Sequence, residues 1–109
     1  MNFIKKIISI FTALFFAFAL ALPATAKVEG DTIVLGAAVS LSGKYSTNGE
    51  HTRNGYNMAV KRINDMGGVT VGGKSYKFDI IYYDDESDSS RAAQLAERLI
   101  KQDGVHYML

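Results

Sequence analysis

The rhythm of apolar and polar residues changes several times along the chain, and each change marks an element. "TIVLGAAV", Thr32 to Val39, is mostly β-branched and small apolar, which predicts a short buried strand. "SLSGKYSTNG" then breaks the pattern with Ser, Gly and Asn and reads as a loop. In "EHTRNGYNMAVKRINDM", Tyr56, Ala59, Val60, Ile63 and Met66 recur on one helical stripe. Thr47 followed by Glu50 fits a capping box for that helix, and Gly67-Gly68 fits its stop. "YKFDIIYYDD" returns to strand character, and "ESDSS" interrupts it. Ala92, Leu95, Ala96, Leu99 and Ile100 then fall at helical spacing. Asp88 or Ser89 is the expected N-cap, Glu97 and Lys101 form an i,i+4 pair, and Gly104 marks the stop. "VHYML" reads as one more apolar strand. The order β-α-β-α-β with helical crossovers predicts an α/β fold on parallel strands.

The first 26 residues follow a different logic. Basic Lys5 and Lys6 precede an apolar run from Ile7 to Leu22, and Ala24-x-Ala26 closes it. This layout predicts a secretory leader cut after Ala26, over a run shorter than the roughly 20 residues of a membrane-spanning helix. The expected mature chain, 83 residues from Lys27, works outside the cytoplasm, secreted or in the periplasm. Without Lys5 and Lys6 the twelve basic residues fall to ten against eleven acidic ones, and no basic patch suggests a nucleic-acid partner. The chain has no cysteine, which excludes disulfides and a lipid-bearing cysteine after the leader.

"GVTVGGKS", residues 68 to 75, fits the pattern of a phosphate-binding loop. Such a loop leaves a strand and opens a helix, whereas this one follows a helix and feeds a strand, so Gly72-Gly73 reads as a tight turn. In a parallel sheet, ligands sit beyond the carboxyl ends of strands. The loop after the first strand offers Ser40, Ser42, Tyr45, Ser46, Thr47 and Asn48 beside a helix start, which suits a small carboxylate or phosphate. Turn-forming and capping account for the same residues equally well. "DDESD", Asp84 to Asp88, lacks the glycine and glutamate of a calcium loop and reads as satisfying backbone N–H groups at a helix start. His51 and His106 stand alone, His51 on a solvated helix face and His106 in a strand, so no metal or catalytic role is assigned to either. Tyr76, Tyr82 and Tyr83 lie within one strand and read as core or sheet-face residues.

Several of these residues together resemble a known family. Leu41-Ser42-Gly43, Gly49, Gly55, Ile63-Asn64-Asp65-Met66-Gly67-Gly68, the acid at Asp84 or Asp85, and the Ala96 to Ile100 helix are similar to the start of the substrate-binding proteins of branched-chain amino-acid ABC importers. The family commonly has proline where Ser40 stands and again near Ser89, and this chain has neither. The resemblance implies a two-lobed protein of doubly wound α/β domains. Residues 27–109 would be the first part of one lobe, with the rest of that lobe and the second lobe outside this sequence. It implies a monomeric binding protein and not an enzyme, with no cofactor, taking an amino acid or related small amide and delivering it to a membrane permease. Asn48 is the site residue it carries over first, with Tyr45, Thr47 and Ser42 on the same loop. Two rivals keep the same fold: an extracellular sensor of a receptor, and a secreted enzyme using Asp84 or Asp85.

Overall fold

The computed structural model describes residues 26–109; the expected leader, apart from Ala26, lies outside the described residues. The elements in chain order are β1 (Val28–Glu29), β2 (Thr32–Val39), α1 (Ser46–Asp65), β3 (Val69–Val71), β4 (Lys74–Asp84) and α2 (Ser89–Lys101). Two parallel strands form the centre. β2 runs beside β4 in register from Thr32 opposite Lys77 to Val39 opposite Asp84. β1 turns back on the start of β2, and β3 forms an antiparallel hairpin with the start of β4, so the sheet order is β1-β2-β4-β3.

The pleat sends alternate side chains to opposite faces, and one helix covers each face. Val34, Ile81 and Tyr83 point to the α2 side, where Val34, Leu99 and Val105 are buried as the centre of the core. Leu99 has no exposed surface, a burial that stabilises the fold by about 1.5–3 kcal/mol. Tyr83 carries its hydroxyl to the same side and donates to Asp103 Oδ2 at 2.7 Å. On the other face Ile33, Leu35 and Phe78 meet Tyr56, Val60 and Ile63 of α1 around an apolar groove of about 510 Å³. Tyr82, one position on from Ile81, donates to Asn57 of α1 at 2.7 Å.

The C-terminal segment decides where the strand order reverses. Gly36 N–H donates to Tyr107 O at 3.0 Å, and Leu109 N–H donates to Gly36 O at 2.9 Å, in a parallel bridge centred on Met108. It therefore lies on the edge of β2 that faces away from β4. α1 leads the chain to one side of β2 and α2 leads it back to the other, so the carboxyl end of β2 is the switch point of the sheet.

Several expectations are corrected. α1 begins at Ser46, with Tyr45 as N-cap and no side-chain cap, so Thr47 and Glu50 lie inside the helix and form no capping box. Met66 is 71% exposed, because it is the C-cap residue where the chain turns away into Gly67. Ile100 stands one position round from buried Leu99 and faces solvent. "VHYML" makes one bridge and no extended strand, since β1 already holds the first part of that edge of β2; His106 is exposed and outside any strand. β1 and β3 give the sheet antiparallel additions to its parallel centre. The remaining signals hold. Asp88 caps α2 by accepting from Arg91 N–H at 2.6 Å, and Lys101 pairs with Glu97. Gly68 N–H closes α1 on Ile63 O at 2.9 Å.

Candidate functional site

The carboxyl ends of β2 and β4 are tied into one unit by the acids after β4. Asp84 Oδ1 accepts from the backbone N–H groups of Leu41, Ser42 and Glu86 at 2.9, 3.2 and 2.8 Å. Asp85, the buried charged residue, accepts from Ser40 Oγ at 2.7 Å and from Ser87 N–H at 2.8 Å. Ser87 Oγ donates to Ser42 O at 2.7 Å and accepts from Tyr45 N–H at 3.0 Å. Glu86 and Ser87 both adopt left-handed backbone, φ 55° and 63°, at a cost of about 1–2 kcal/mol each that these bonds offset. The Ser42 side chain first, and the Glu86 N–H next, hold the Asp84 carboxyl below its ordinary value. Ser40 thus supplies a hydroxyl to the buried Asp85 carboxylate.

α1 starts unusually close to this unit. Gly49 is buried, and a Cβ there would stand 1.6 Å from Ser40 O, so only glycine lets the first helical turn rest on the end of β2. The close approach brings Asn48, Thr52 and Tyr56, four residues apart along one helical face, to the mouth of a cavity of about 310 Å³. Ser40, Tyr45 and Asp85 complete its polar lining. α1 has no capping side chain and no acid in its first turn; Tyr45 and Ser46 N–H donate to Ser87 Oγ and Gly43 O, which leaves the Thr47 and Asn48 N–H groups and the positive end of the helix dipole at the cavity. Among the described residues the lining holds no histidine, cysteine or lysine, and what it offers is hydrogen bonding, aromatic surface and shape.

Of the expected site residues, Asn48 and Tyr45 line this cavity. Thr47 sits in the same first turn outside the lining, and the backbone of Ser42 is bonded to Asp84 and Ser87. Ser40, expected among the hydroxyls of that loop, lines it too; Asp85 was expected as a helix-start acid, and Thr52 and Tyr56 were not expected there. The i, i+4, i+8 spacing of Asn48, Thr52 and Tyr56 is the signal that identifies three of the lining residues once α1 is extended back to Ser46. "GVTVGGKS" lies at the other end of the sheet. It forms the β3–β4 hairpin, with positive φ at both Gly72 and Gly73 as a type I′ turn requires, and Lys74 pairs with Asp31 at 3.1 Å.

A cleft at the switch point, between a glycine-seated helix start and two clasped strand ends, is the place where open α/β sheets take small ligands. Comparison with known proteins gives the family: a profile described as periplasmic binding protein matches residues 32–109, and the chain belongs to that family. It is similar to the leucine-, isoleucine-, valine-, threonine-, and alanine-binding protein of Pseudomonas aeruginosa, 31% identical over 96 residues, 88% of this chain and 24% of that protein. Among solved structures it resembles the branched-chain amino acid transporter substrate binding protein of Streptococcus pneumoniae in complex with isoleucine. The TM-score is 0.62 at 28% identity, over 71% of this chain and 21% of that one. It also resembles a solute binding protein of an ABC transporter from Rhodopseudomonas palustris in complex with 3,4-dihydroxy benzoic acid, with TM-score 0.58 and 29% identity over 72% and 20% of the two chains. The fold is that of an α/β lobe of type I periplasmic binding proteins. The chain spans about a quarter of the curated relative it matches.

Proposed function

We propose that this protein is the solute-binding component of an ABC importer and captures an amino acid of the branched-chain type or a related small amide. One observation carries the reading: Asn48 and Tyr45 stand beside an uncapped helix start, at the rim of a cavity at the switch point of the sheet. A carboxylate meets free N–H donors there, and the tyrosine faces offer apolar surface to a side chain. In the same reading Thr47, beside Asn48 in the first turn of α1, and Ser42 on the preceding loop are further ligand contacts. The leader over residues 1–26 takes the chain to the periplasm. There it works as a monomer, a second lobe closes over the ligand, and the closed form docks on the permease. No cofactor takes part.

The rival enzyme reading finds less support. Asp84 has one carboxylate oxygen engaged by three backbone N–H groups and is held ionised, which suits a structural anchor better than a general acid. Isothermal titration of the full mature protein against leucine, isoleucine, valine, threonine, alanine, their amides and an aromatic carboxylate tests the proposal. Saturable binding of an aliphatic amino acid, weakened by Asn48→Ala, is expected. Failure to bind any amino acid or amide refutes it, and turnover lost in Asp84→Asn would favour the enzyme.

A further inference from the structure

Among the described residues β4 is an edge strand over most of its length, because β3 covers only Lys74 to Tyr76. Its odd-numbered positions face β2: Lys77 N–H donates to Asp31 O and Asp85 N–H to Val39 O. Phe78, Ile80 and Tyr82 therefore turn their backbone N–H and C=O groups outward. A row of this kind is a template on which another strand pairs. Beside it runs a groove of about 530 Å³, lined by Asn57, Lys61, Asn64, Asp79 and Tyr82 among others, so the edge has room for a neighbour.

Half of these six backbone groups are taken by side chains: both of Phe78 and the N–H of Ile80. Asn64, in the last turn of α1, accepts from Phe78 N–H through Oδ1 at 2.8 Å and donates from Nδ2 to Phe78 O at 2.9 Å. A carboxamide carries its acceptor and donor at nearly the spacing of a peptide group, so Asn64 fills the place of the residue a paired strand would put there. Ile80 N–H is taken by Asp79 Oδ1 at 2.8 Å, and Arg91 Nε reaches Asp84 O at 3.3 Å. Among the described residues Tyr82 is left as the outward position with neither strand nor side chain upon it, and one residue is too little for a ladder.

We propose that Asn64 is a strand surrogate that closes the β4 edge against a second copy of this chain. The edge is self-complementary, since two β4 strands related by a twofold axis would pair antiparallel with the same groups on both sides. The inference rests on the monomeric state proposed above and supplies its cause; it is indifferent to which ligand the cleft takes.

The test is the mass of the full mature chain by light scattering across a concentration series, for the wild type, Asn64→Ala, and Asn64→Ala combined with Ile80→Pro. A monomeric wild type and a concentration-dependent doubling of mass in Asn64→Ala are expected. Proline at position 80 removes an outward N–H that serves no bond to β2, so the double variant returns to monomer. Asn64→Ala that keeps the wild-type mass throughout overturns the proposal, as does a doubling that Ile80→Pro leaves untouched. A wild type that is dimeric with Asn64 in place refutes the monomeric reading and the proposal with it if Ile80→Pro dissociates it. A wild-type dimer that Ile80→Pro leaves intact refutes the monomeric reading alone, and the surrogate role is then read from amide exchange. If Asn64→Ala does not fold, the same wild-type measurement decides. Amide exchange must show Phe78 protected like Lys77 while Tyr82 exchanges fast. A Phe78 amide that exchanges as fast as Tyr82 overturns the proposal.

Discussion

Gly49→Ala is the substitution for which the geometry makes the sharpest demand. A methyl group at that position would stand 1.6 Å from Ser40 O and 2.4 Å from Ser40 C. An ordinary carbon–oxygen approach is about 3.3 Å, so α1 and the end of β2 must separate by about 1.7 Å. Both partners are backbone, and no rotamer change relieves the overlap. Alanine gains about 1 kcal/mol over glycine inside a helix, whereas overpacking costs about 1–3 kcal/mol. With the clash at the upper end of that range, the net loss is about 2 kcal/mol. For a urea slope of about 2 kcal/mol per molar, the unfolding midpoint falls by about 1 M. Gly55 is the control, because it lies in the same helix and its added Cβ meets nothing within 4 Å. Gly55→Ala should therefore raise the midpoint, by about 0.5 M at most. Urea unfolding of the two variants beside the wild type, read by helical circular dichroism, tests the pair. Gly49→Ala as stable as Gly55→Ala would refute the claim that glycine is required for the close approach. Ligand affinity should fall in Gly49→Ala as well, since the displaced turn carries Asn48.

Three further outcomes follow from named contacts. Leu99→Ala removes a side chain with no exposed surface and should cost about 2–5 kcal/mol in the same urea assay. Asp88→Ala frees the Arg91 N–H held at 2.6 Å and should cost about 1 kcal/mol, with fraying of α2 visible by amide exchange. The folded Asp84 pKa is depressed from its ordinary 3.8, so its contribution is complete above that value and is lost as pH falls through the lower folded value. A plot of midpoint against pH should drop below about pH 4, and Asp84→Asn should flatten that part of the drop.

The long elements were legible because their burial imposes a pattern: β2 is apolar along its length, β4 is rich in aromatic and β-branched residues, and α1 and α2 keep one stripe against the sheet. β1 and β3, at two and three residues, are too short for any period to show. The start of α1 was hidden for a chemical reason. Ser46, Thr47, Asn48 and Gly49 are residues that favour loops, and the tertiary contact at Gly49 draws them into the helix. Reading Asn48 as part of the loop hid Thr52 and Tyr56 from the candidate site, because the face the three share appears only when Asn48 is counted in the helix. Asn48 and Tyr45 were legible from their place after the first strand. Asp85 was read as a helix-start acid, and its reach across to Ser40 depends on strand register, which local sequence does not encode.

The hairpin at Gly72-Gly73, read as a tight turn from the sequence, has a practical use. Gly72 and Gly73 project from the amino end of β4 with nothing near either Cβ position, while the cavity lies at the carboxyl end of that 11-residue strand, about 35 Å away along it. A short peptide epitope or a fluorophore-bearing cysteine placed between the two glycines would sit on a solvent-facing tip that tolerates added length. Solute affinity should be the same with and without it. The turn is therefore a handle for tethering the protein to a surface with its cleft facing outward.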